Sequence, residues 1–64
     1  MSKIEYAVSE ILKEDGLTWK AAAEKAGYPD RSNFRRALLA RLTRANDIIA
    51  LLGYEIQLVK KEEE

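Results

Sequence analysis

The sequence predicts a mainly α protein of four or five short helices, including a helix-turn-helix, followed by a C-terminal β-strand that pairs across a dimer. Three observations lead there. Apolar residues recur at helical spacing in stretches that stop at Gly16, Gly27 and Gly53. A short glycine-containing turn joins the second stretch to a third, which begins a segment holding all five arginines of the chain. After Gly53 the apolar period drops to two.

The first helix starts at Ser2, which can cap it with Glu5 three residues on. Ile4, Val8, Ile11 and Leu12 then share one face, widened by Ala7, and Lys13-Glu14-Asp15-Gly16 ends the element. Thr18 is the N-cap of the second helix and Leu17 is placed to pack on its first turn. Ala21, Ala22, Ala23 and Ala26 permit close approach of another helix, and Trp19, the only tryptophan, is expected between helices as a core anchor. Gly27 closes this element. Tyr28-Pro29-Asp30 is a turn, because proline lacks a donor and biases the residue before it toward extended backbone.

Asp30 or Ser32 caps the third helix, along which Phe34, Ala37, Leu38 and Arg41 are expected on one side and Arg31, Ser32, Arg35, Arg36 and Leu39 toward others. Leu42-Thr43 repeats the Leu17-Thr18 arrangement, which predicts a break near Arg41 and a fourth helix from Arg44 to Leu52 with Ile48, Ile49 and Leu52 inward. A single helix over 32–52 is the alternative, since neither glycine nor proline interrupts that interval. Tyr54, Ile56 and Leu58 alternate with Glu55, Gln57 and Val59 as in a half-buried strand. With no second strand in the chain, pairing with the same strand of another copy about a two-fold axis is expected, and Tyr54, Ile56 and Leu58 are its interface. Residues 1–60 form one domain and 61–64 a charged tail.

At 64 residues the chain is near the lower size at which a core stabilises itself, so dimerisation or tight helix packing must contribute. No apolar run approaches the ~20 residues of a membrane span, and the N-terminus lacks a signal peptide's apolar core. A cytoplasmic protein is expected. The absence of cysteine and histidine leaves nothing for disulfides or a zinc centre, and no phosphate-binding glycine loop is present. No cofactor and no catalysis are expected.

Net charge is zero, yet charge is segregated. Segments 1–30, 31–47 and 48–64 carry −2, +4 and −2. Salt screens exposed charges beyond about 8 Å. A local excess of arginine can therefore attract phosphate on a neutral molecule. Two helices joined by a short turn can set the second in a major groove about 12 Å wide.

Ala23, then Gly27 four residues later, then Phe34 as the apolar root of the next helix, and the ending TRANDIIALLGYEIQLV together resemble the Cro and lambda-repressor-like helix-turn-helix family of phage and bacterial regulators. The resemblance covers roughly Leu17 to Leu58. Pro29 stands as one residue more than the family's usual turn, and Ala22 replaces a large aliphatic. The resemblance implies a homodimeric, sequence-specific transcriptional regulator, a repressor by family habit, binding double-stranded DNA at a palindromic operator. Its recognition helix would span about 31–40. It implies base contacts from Arg31, Ser32, Asn33, Arg35 and Arg36, residue types suited to guanine and adenine. Arg41 and Arg44, with Lys20, are expected on phosphates. The alternative is a protein-interaction module on the same scaffold, such as an antitoxin, anti-repressor or phage-encoded inhibitor, which the neutral total charge suits; a regulatory protein partner fits either case.

Overall fold

The computed structural model describes residues 2–61 and is built from three helices, α1 (Lys3–Glu14), α2 (Trp19–Lys25) and α3 (Arg31–Ala50). Each start follows from local chemistry. The side chain of Ser2 accepts the backbone N–H of Glu5, Thr18 accepts that of Ala21, and Asp30 accepts that of Ser32 at 2.8 Å, so three orphan donors are satisfied by the residue just outside each helix.

The α2 end decides the geometry of the pair that follows. Gly27 takes φ of 81°, donates to the carbonyl of Glu24, and lets Tyr28 N–H reach back to the Ala23 carbonyl at 2.9 Å. This is a glycine stop of the Schellman type, and it turns the chain sharply toward α3. The core lies where the helices meet: Ile4 and Val8 from α1, and Ala22 and Ala23 from α2, are its buried residues. Alanine at the centre lets α3 approach α2 closely, and Phe34 seats the start of α3 edge-on between Trp19 (6.1 Å) and Tyr28 (5.3 Å). Trp19 is half-buried between α2 and α3, an anchor as expected.

The expected break near Arg41 does not occur, and α3 runs through it as one 20-residue helix. At 1.5 Å per residue it spans about 30 Å, close to the 34 Å long axis of the molecule. The reason is the unbroken inner stripe Leu38, Leu42, Ala45 and Ile49, half-buried at spacings of four, three and four. A cap at Thr43 would have rotated that stripe away from the body. The continuous helix also replaces the expected faces. Arg35 and Leu39 turn toward the packed side, Arg41 is exposed, and Ile48 and Leu52, expected inward, are exposed.

There are thus three helices rather than four or five, and among the described residues no strand. Residues 54–61 lie along α1 in the same direction. Lys3 Nζ meets Glu55 at 2.8 Å near the start of α1, and Lys60 Nζ meets Asp15 at 3.0 Å beyond its end. An extended run from 55 to 60 covers about 17 Å, against about 18 Å for the helix rise from 3 to 15, so the two lengths match. Ile56 donates its N–H to Asn46 Oδ1 at 3.0 Å, and Leu58 lines a recess with Ile11. The alternation expected of a strand persists as half-buried Ile56 and Leu58 between exposed neighbours. Its apolar side is used against this chain's own helices. Of the charged tail at 61–64, Lys61 is exposed and the remainder lies outside the described residues. None of the helices is long and apolar enough to cross a membrane.

Candidate nucleic-acid interface

Because successive residues of a helix turn by about 100°, Asn33, Arg36, Ala40 and Arg44 fall within one sector of α3 opposite its half-buried stripe. All four are exposed, as are Ser32, Arg41 and Thr43 around them. From Asn33 to Arg44 the sector is about 16 Å long. Ala40 at its middle keeps the surface low between the flanking arginines. Arg36 donates through Nη2 to Asn33 Oδ1 one turn back, which orients both side chains along the same face. Asp47 is the carboxylate of this face, one turn beyond Arg44.

A second group forms where α2 and α3 begin. Lys20 and Arg31, eleven positions apart in sequence, border one recess of about 440 Å³ with Tyr28, Pro29, Glu24 and Asp30. Arg31 and Ser32 border another of about 380 Å³ with Trp19 and Arg35. The turn brings Lys20 of α2 beside the first cation of α3, while one of the neighbouring carboxylates, Asp30, is engaged as the helix cap. Among the described residues, the carboxylates within salt-bridge reach of a cation pair with Lys3, Arg35 and Lys60, leaving Arg31, Arg36, Arg41 and Arg44 without one.

Arg35 is the exception to the expected base-facing set. Its guanidinium is paired to Glu5 of α1 and lies over the Trp19 ring, 5.1 Å from the centroid. One side chain thereby ties α1, α2 and α3 together. The hydrogen bond from Arg35 holds the Glu5 carboxyl below its ordinary value, against partial burial that pushes it up. The pairing partner sits 30 residues away, so no spacing rule could have found it. The Asn33–Arg36 contact, by contrast, was available from its i,i+3 spacing.

The expected dimer residues also divide. Tyr54 faces solvent, whereas Ile56 and Leu58 are turned toward the body of the same chain, where the Ile56 N–H reaches Asn46 of α3 and Leu58 borders a recess with Ile11 of α1. Apart from the arginines, the feature that residue-by-residue reasoning missed is the exposed apolar end of α3, Ile48, Leu51 and Leu52. Comparison with known protein families, curated proteins and solved structures returns no match for this chain.

Proposed function

We propose that the protein is a sequence-specific DNA-binding regulator that works as a homodimer on a palindromic site, as its resemblance to the Cro and lambda-repressor-like family implies. The observation that carries this is the outward sector of α3, where Asn33, Arg36, Arg41 and Arg44 stand together, none of the three arginines in a salt bridge among the described residues and Asp47 the acid of that face. In the major groove Arg36 reads guanine and Asn33 reads adenine, with Ser32 and Arg31 beside them. Lys20, Arg41 and Arg44 bind phosphates and set register. Arg35 is reassigned from base reading to positioning, since Glu5 and Trp19 hold it. Half-sites lie about 34 Å apart, one turn of duplex.

The test is duplex selection from a random pool, followed by titration of the winning site at several salt concentrations. Three phosphate contacts per chain give a dimer a log–log salt slope of about −5. Arg36→Ala is expected to weaken the preferred site by about 1–3 kcal/mol per half-site and to relax preference at one position. Arg44→Ala weakens all duplexes alike and flattens the slope by about two units per dimer, because two contacts are lost. Absence of salt-dependent duplex binding overturns the assignment in favour of a protein-interaction module, the class that the zero net charge suits.

A further inference from the structure

We propose that the exposed end of α3 is the contact surface for a second copy of this chain, packed about a two-fold axis. Ile48, Leu51, Leu52 and Tyr54 are 52%, 85%, 70% and 73% exposed. Spacings of three and four place the first three on one side of the helix end. Tyr54 joins them because its N–H turns back to the Ile49 carbonyl past Gly53. No charged residue interrupts the run from Ile48 to Tyr54.

The molecule as a whole has area to lose. It exposes 5479 Å², whereas a compact monomer of 7.3 kDa is expected to expose about 4,200 Å². Four side chains of this size, exposed to this degree, present on the order of 500 Å², at the scale of the largest apolar patch on ordinary monomers. Covering that patch on both copies removes about 1,000 Å², the scale at which a specific interface becomes stable. Among the described residues the core also lacks a fully buried large side chain. A 64-residue chain with so small a core gains most from a partner that is always present at its own concentration.

A second copy fits this patch because a two-fold axis through it sets Ile48, Leu51 and Leu52 of each chain against the same residues of the other, so one apolar surface is covered twice and no charged residue between Ile48 and Tyr54 is buried. The outward sector at Asn33 and Arg36 stays clear of this contact, about 18 Å or more up the helix from Ile48. The interface would supply the two-fold symmetry that the DNA reading needs, but it does not depend on that reading, because it is tested without DNA.

Sedimentation equilibrium of the full chain between 1 and 100 µM, without nucleic acid, is the experiment. The expected mass at the upper end is twice the 7.3 kDa of the chain. Leu51→Lys, at a site too exposed to matter for the monomer fold, is expected to raise the dissociation constant at least tenfold with the helical circular dichroism unchanged. Val59→Lys, equally exposed at 84% but outside the patch, is expected to leave the mass unchanged. A wild-type chain that stays monomeric at 100 µM overturns the proposal and leaves the patch to a different protein. So does a Leu51→Lys, Leu52→Glu double variant that still sediments as the dimer.

Discussion

Arg35 is the residue whose placement departs most from its residue type. A guanidinium stacks on an aromatic face and forks onto a carboxylate at once, and a lysine ammonium does neither as well. Arg35→Lys is therefore expected to lower the melting temperature and to weaken all duplexes in parallel, leaving the ratio of preferred to scrambled site unchanged. A change in that ratio, read by competition binding, would return Arg35 to the base-reading set. Its partner gives an acid signature. Because the folded-state value of Glu5 is depressed, its contribution is complete above the ordinary carboxylate range near pH 4.3 and is lost as pH falls through the folded value. Glu5→Gln should lower the melting temperature at pH 7 and flatten its fall at acid pH, which a melting series from pH 7 to 2 measures.

The helices carry predictions of their own. If α3 is continuous because Leu38, Leu42, Ala45 and Ile49 form one stripe, then glycine at exposed Ala40 costs about 1 kcal/mol in chemical denaturation. A neutral or stabilising Ala40→Gly would mark a break there instead. At the end of α2, a Cβ on Gly27 meets nothing within 4 Å. The cost of Gly27→Ala is therefore backbone alone, about 1–2 kcal/mol for holding an L-residue at φ of 81°. It alters the turn that brings Lys20 beside Arg31, so duplex affinity should fall with stability. The match between the helix rise of α1 and the extended length of 55–60 lets the Lys3–Glu55 and Lys60–Asp15 pairs form together, one at each end of α1.

For the molecule as a whole, the absence of histidine leaves no side chain with an ordinary titration between about pH 5 and 8. Stability should be level across that range. On the acid side it declines through Glu5 and Glu55, both held low, Glu55 chiefly by its hydrogen bond from Lys3. On the alkaline side Lys3, raised by Glu55, contributes fully below the ordinary lysine value and loses its contribution as pH rises through the raised one. The same economy of charge separates function from solubility. A chain of zero net charge keeps α3 cationic by placing all of its acids except Asp47 outside that helix.

What the amino-acid order determined by itself is local. Ser2, Thr18 and Asp30 start helices and Gly16, Gly27 and Gly53 stop them, because a cap or a left-handed turn involves groups no more than one helical turn away. The cationic character of 31–47 and the role of Phe34 as the root of α3 were legible on the same grounds. Tertiary structure decided which arginines look outward, whether Leu42-Thr43 starts a helix, and where Ile56 and Leu58 are buried. Each of these depends on a surface contributed by residues distant in the chain: Glu5 claims Arg35, the body of the fold favours one inner stripe over a new cap, and Asn46 and Ile11 receive Ile56 and Leu58. Side-chain periodicity defines that a face exists, but only the packing partner selects which one it is.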